Sequence, residues 1–168
     1  MLRFEMLCYT LSAVEFMLGL RNAMRFLEIR TPRDMLEKAR RERARLSARI
    51  DVDNVFNFFV TAYHVKDYIE KSGAVPSVVV QELYSEQDMR VRDCRDLCDK
   101  AKHLKLTRRA DPDTHKWSGA VGGAPIGAIP LGSAGYWELW SGERHIRIVP
   151  LASRVMARLD RFFVEKEL

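Results

Sequence analysis

The chain has 168 residues, 47% of them hydrophobic and 30% charged, which suits one domain with a real core and excludes disorder over most of its length. Lys+Arg outnumber Asp+Glu by 28 to 23, and this net charge of +5 permits an acidic partner such as nucleic acid without requiring one. The three cysteines, Cys8, Cys94 and Cys98, exclude a disulfide framework and point to a reducing compartment, so the cytoplasm is the expected location.

Residues 6–20 are rich in apolar side chains. Glu15 interrupts them, and Arg21, Arg25 and Arg30 follow, so the stretch falls short of the about 20 apolar residues of a membrane span. A buried helix over residues 5–29 is expected, with no membrane partner. Thr31-Pro32-Arg33-Asp34 then reads as a helix start. Thr31 caps an orphan amide, Pro32 needs no N–H in the first turn, and Asp34 favours the positive end. This helix is expected to run to about Ser47 on a thin apolar stripe of Met35, Ala39 and Leu46. A third helix starts at Asp51 or Asp53 and reaches Lys71, where Ser72-Gly73 ends it before Pro76. A fourth helical region covers residues 77–104 and is open to a break at Ser85-Glu86-Gln87.

The character changes after Lys105. Asp111-Pro112-Asp113 is a turn signal, and residues 118–135 hold six of the nine glycines and two of the six prolines. That stretch reads as a long, mobile surface connector. It lacks the GK[ST] ending of a phosphate-cradling loop. Residues 136–140 and 144–149 are aromatic and β-branched around Ser141-Gly142, which predicts a β-hairpin. Pro150 opens a last helix to about Glu165, with Leu151, Val155, Leu159 and Phe162 on its buried side. The fold expected is mainly α: one domain over 1–168, with a helical bundle over about 5–105, the Gly-rich loop, and a small C-terminal hairpin followed by a final helix.

Two polar stripes carry the candidate chemistry. On the apolar third helix, Asn54, Asn57, Thr61 and His64 fall on one line, with Asp67 and Lys71 near its continuation. Buried polar groups must be paired, so the stripe faces either a polar cleft, a partner chain or solvent. On the fourth, Arg92, Asp96, Asp99 and His103 lie opposite Cys94, Leu97, Cys98, Ala101 and Leu104. His103 stands among Lys100, Lys102 and Lys105, a setting for phosphate binding with His103 as general acid or base, or for a plain solvated helix end. Cys94 and Cys98 with His103 lack the further ligands that structural zinc needs and read as core cysteines, so no metal and no cofactor is expected. Lys38, Arg40, Arg41, Arg43, Arg45 and Arg49 are candidates for a phosphate backbone, diluted by Glu37 and Glu42. Trp117, Trp137 and Trp140 are candidates for base stacking or for hairpin packing. No G-x-S-x-G elbow, H-E-x-x-H helix or dinucleotide fingerprint occurs.

Two segments carry a family resemblance: Phe56-Asn57-Phe58-Phe59-Val60-Thr61-Ala62-Tyr63-His64-Val65-Lys66-Asp67-Tyr68, and Arg95-Asp96-Leu97-Cys98-Asp99-Lys100-Ala101-Lys102-His103. With the closing hairpin and helix they resemble bacterial and phage proteins with a HEPN-like helical bundle. The resemblance implies a dimeric bundle and, in many members, metal-independent RNA cleavage in conflict systems. The family's hallmark is an Arg followed, after four to six residues, by His. Here Arg95 and His103 enclose seven. Arg108 and Arg109 reach His115 at the family spacing, with Asp111-Pro112 between them. Carried onto this chain, the resemblance makes His103 the base for a 2′-hydroxyl, with Arg95 or Lys102 on the phosphate. His64 and Asn57 then line the same cleft, and Asp67, Asp96, Asp99, Lys100 and Lys102 are binding residues. The expected function is RNA binding or metal-independent RNA cleavage. The competing expectation is a non-enzymatic interaction module, dimeric, with the glycine loop as a contact arm and a protein as partner. A metal-dependent enzyme is a distant third.

Overall fold

A computed structural model describes residues 29–85, 89–103, 106 and 111–168. The chain divides into two compact units, Met1–Arg30 and Thr31–Leu168, and all the described elements belong to the second. The expected helix over 5–29, Cys8, Lys105, Arg108 and Arg109 lie outside the described residues.

The first described helix, α1 (Pro32–Ala48), begins as its sequence dictates. Thr31 Oγ1 accepts from the Asp34 amide at 3.1 Å, and Asp34 Oδ2 accepts from the Thr31 amide at 2.9 Å, a reciprocal capping box. Its buried face is Met35, Leu36, Ala39, Glu42 and Leu46, one residue in five of it charged. The basic run along α1 is largely spent on tertiary contacts. Arg40 reaches Asp160 at 2.7 Å, Arg43 reaches Ser153 at 2.6 Å, and Lys38 reaches Thr61 at 2.8 Å.

α2 (Val52–Ser72) is the central element. Asp51 caps the Asn54 amide at 2.8 Å, and Gly73 ends the helix in the left-handed region at φ 67°. Val55, Phe58, Phe59, Ala62, Val65 and Ile69 bury its sides against α1, α4 (Met89–His103) and α5 (Ile148–Glu165). A short α3 (Ser77–Leu83) precedes α4, so the region expected over 77–104 is two helices. α5 begins at Ile148, two residues before Pro150, which sits in the first turn where its missing N–H costs nothing. Leu151, Val155, Leu159 and Phe162 are all buried, as their spacing predicts.

The chain is mainly α with a small sheet, in which the expected hairpin is present as its second and third strands and an unexpected first strand is added. The sheet has three antiparallel strands in the order β1 (Asp113–Trp117), β2 (Tyr136–Ser141), β3 (Arg144–Arg147). β1 begins at the last residue of the expected turn. Its partners lie across residues 118–135, and pairing that distant leaves no local signature. Within that connector Gly135 lies at φ 74°, and an added Cβ would sit 1.9 Å from the Trp117 carbonyl oxygen. No side chain is accommodated there.

Alternation along the strands sorts the sheet into two faces. Thr114, Lys116, Trp137, Leu139, Ser141, Arg144 and Ile146 share one. Leu139 on that face is fully buried, with β2 and β3 packed on α5. Arg144 extends from it to α4, placing Nη2 2.5 and 2.6 Å from the two carboxylate oxygens of the buried Asp93. Burial raises the Asp93 pKa above its ordinary 3.8, and the Arg144 hydrogen bonds and charge pull against that rise. An acid whose native pKa is raised binds protons better when folded. Its contribution to stability is therefore full below 3.8 and declines as pH rises through the native value. Arg144→Ala removes the opposing cation and leaves a buried carboxylate unpaired. A loss of about 3 kcal/mol at neutral pH is expected. Denaturant melts of both proteins should show that loss shrinking as pH falls toward the ordinary aspartate range. A loss independent of pH would mean that Arg144 acts through packing alone.

Candidate functional site

The polar stripe of α2 does not face one common cleft. Asn54 donates to the Arg49 carbonyl at 3.0 Å and serves the helix start. Asn57 is exposed. Thr61 is buried and accepts from Lys38. His64 is half-buried and meets α4: Lys102 Nζ lies 2.6 Å from its Nε2. Its Nδ1 lies 2.7 Å from the Val60 carbonyl oxygen. A carbonyl accepts only, so Nδ1 carries the proton. An ammonium donates only, so Nε2 is the acceptor. His64 is thereby a neutral imidazole of defined tautomer whose basic lone pair is already occupied. Asp67 Oδ2, 3.9 Å from Nε2, adds a carboxylate to the group.

Cys98 Sγ approaches His64 Nδ1 at 4.0 Å, but that nitrogen is committed to Val60. Burial raises the Cys98 pKa, with the nearby Lys102 charge opposing it, and burial raises Cys94 well above the thiol range. Both cysteines are buried, as expected of core residues. Neither is poised as a thiolate nucleophile. No group of three or more potential metal ligands occurs among the described residues.

The remaining α4 candidates are dispersed. Arg95 and Asp96 interact at 3.3 Å, with side chains only 19% and 10% exposed. Asp96 therefore departs from the expected solvated stripe, because α4 is covered by α2 and α5 together. Asp99 is half-buried near Cys98. Lys100 pairs with Asp111 at 2.6 Å, and Asp111 also accepts from the Leu106 amide at 2.9 Å. Lys102 and His103 are exposed at the helix end. Arg95 and His103 are eight residues apart on one continuous helix, a rise of about 12 Å. The structure joins His64, Asp67 and Lys102, and it gives Arg95 a different neighbour from His103.

A second polar assembly lies on the other face of the sheet. His115 and Trp117 from β1, Tyr136, Glu138 and Trp140 from β2, and His145 and Arg147 from β3 share it by register. Trp140 stacks between His115 at 3.8 Å and His145 at 4.3 Å between ring centroids. Trp117 lies beside this stack, 6.1 Å from His115 and 6.2 Å from Trp140. Glu138 Oε2 accepts from both indoles, at 2.9 Å from Trp117 and 3.2 Å from Trp140. Arg147 lies 4.4 Å over the Tyr136 ring.

Comparison with protein-family models, curated proteins and solved structures finds no match. The chemistry rests on the geometry alone. The sheet face was missed by sequence reasoning because β1 was missed, and with it the register that brings His115 beside Trp140. Alternation in residues 136–140 was the available signal, since it separates Trp140 from Trp137.

Two measurements check the α2–α4 group. Peptide mapping after brief iodoacetamide treatment at neutral pH should find Cys94 and Cys98 unmodified in the folded chain and alkylated once it is unfolded. Nitrogen chemical shifts of His64 should report a protonated Nδ1 and an unprotonated Nε2. Fast native alkylation of Cys98, or the opposite tautomer, would overturn this assignment.

Proposed function

We propose that this chain is an RNA-binding protein of the HEPN-like type, and that it holds single-stranded RNA on the aromatic face of its sheet. The observation that carries this reading is the three-ring column His145, Trp140, His115, with Trp117 beside it. Unpaired bases stack on aromatic and imidazole rings, and each stacked base contributes about 1–3 kcal/mol. His145 ends the column and is exposed, so a base extends the stack there. Arg147, exposed on the same face, supplies a cation for the phosphates. Binding is favoured over cleavage because Arg95 is held by Asp96 while His103 stands at the exposed end of α4.

The test is anisotropy of a labelled single-stranded RNA with chelator present. The expected result is saturable binding that weakens as salt rises, with intact RNA recovered afterwards. His145→Ala removes an exposed ring without disturbing the core and should weaken binding about 5- to 100-fold. Unchanged affinity in that variant would remove the sheet face from the proposal. Cleavage that disappears in His103→Ala would favour the nuclease reading instead.

A second reading is favoured by the connector. From Trp117 to Trp137 the sequence carries no charged residue. Val121, Ile126 and Leu131 in this run are 94%, 107% and 79% exposed. Solvated apolar side chains clustered in one loop suit a contact arm for another protein chain, including a second copy. If the chain self-associates through the loop, Ile126→Asp should lower its sedimentation coefficient toward the monomer value. An unchanged value would remove the loop from that contact.

A further inference from the structure

Beneath the sheet, on the side away from the aromatic column, lies an open cavity of about 250 Å³. It is bounded by the first turns of α2, by α4 and by the inner sheet face. Val52, Phe56, Phe59 and Leu97 supply apolar wall, and Lys100 and Trp137 supply polar groups. Val52 and Phe56 are 63% and 40% exposed, so two large apolar side chains are solvated at the cavity. The Trp137 indole Nε1–H is buried without a hydrogen-bond partner, whereas the Trp117 and Trp140 indoles both donate to Glu138. A buried donor left unmade is costly, and nearly all such groups in folded proteins find an acceptor. The Lys100 ammonium has three donors, and one of them goes to Asp111.

We infer that this cavity binds a small molecule with a compact apolar body and a terminal carboxylate, such as a medium-chain fatty acid. The volume corresponds to about eight water-sized atoms. That matches a short acyl chain or one aromatic ring. The apolar walls take the body. The carboxylate supplies the acceptor that the Trp137 indole lacks and shares the Lys100 ammonium with Asp111. Few polar groups in an apolar hollow is the usual construction of a small-molecule site. The site is independent of RNA binding, because Trp137 and Trp140 point to opposite faces of the same strand.

The three indoles make the test internal to the molecule. Octanoate, below its micelle concentration, is titrated into the nitrogen-15-labelled full chain, with each indole N–H peak assigned by its Trp→Phe variant. The expected result is a saturable downfield shift of the Trp137 peak, with the Trp117 and Trp140 peaks fixed. Octylamine, of the same length and opposite charge, should bind about tenfold more weakly. Lys100→Met should bring octanoate and octanol to equal affinity. Val52→Trp, which fills the cavity from an exposed position, should abolish the shift while the remaining spectrum stays folded. A static Trp137 peak, equal movement of all three peaks, or octylamine binding as tightly as octanoate would each overturn the proposal.

Discussion

The pairing of Arg144 with Asp93 is the constraint from which the arrangement of the sheet follows. Asp93 is buried on α4, and Arg144 reaches both of its carboxylate oxygens through Nη2 from the inner face of β3. A buried carboxylate tolerates few orientations of its partner, because the alternative is an unpaired charge in a poor solvent. The pair therefore fixes which face of the sheet turns to α4. Leu139 of β2 and Ile148 at the start of α5, both fully buried, add apolar burial. Strand alternation does the rest. Once Arg144 points inward, His145 and Arg147 point outward, and Trp140 follows His145 through the register.

Such a pair is a weak source of net stability. Burial raises Asp93 even with Arg144 in place, so the desolvation cost exceeds what the cation returns. Its value lies in specificity, since a sheet slipped by one residue would strand both charges. The same logic holds on the opposite side of the bundle. Glu42 is buried on α1 between Lys38 at 3.2 Å and Arg45 at 2.8 Å, and Lys38 passes on to Thr61 of α2. Polar links thus set the alignment of α1 with α2 and of α4 with the sheet, while Phe58, Phe59, Leu36 and Leu159 supply the apolar burial.

The two polar assemblies differ in what they leave available. In the α2–α4 group every strong valence of His64 is taken, by Val60 and by Lys102. That is an interhelical lock, and chemistry there would first have to break it. The sheet face is open in the complementary sense. Its rings satisfy one another by stacking, but the column ends at an exposed imidazole, and ring edges line the solvent. A ligand with flat rings adds to such a column without displacing anything. Beneath it, the unpartnered Trp137 indole marks the reverse side of the same strand as chemically distinct.

Local physics was legible in the sequence wherever neighbours in the chain decide the outcome. The capping box at Thr31, the Asp51 cap, the Gly73 stop and the buried stripe of the last helix depend on residues within a few positions of one another. Cys94 and Cys98 as core residues followed from the apolar side of α4. The tertiary structure decided what depends on partners far along the chain. β1 exists because Asp113–Trp117 pairs with Tyr136–Trp140 across the glycine connector. Asp93 and Asp96 are buried because α4 is covered on more than one side, a burial that helical spacing alone cannot express. His64 meets Lys102 from another helix, and His115, Trp140 and His145 come from three strands. The sequence by itself determined where helices begin, end and turn their apolar faces. Packing determined which polar side chains meet, because a side chain's partner is set by the space around it and not by its place in the chain.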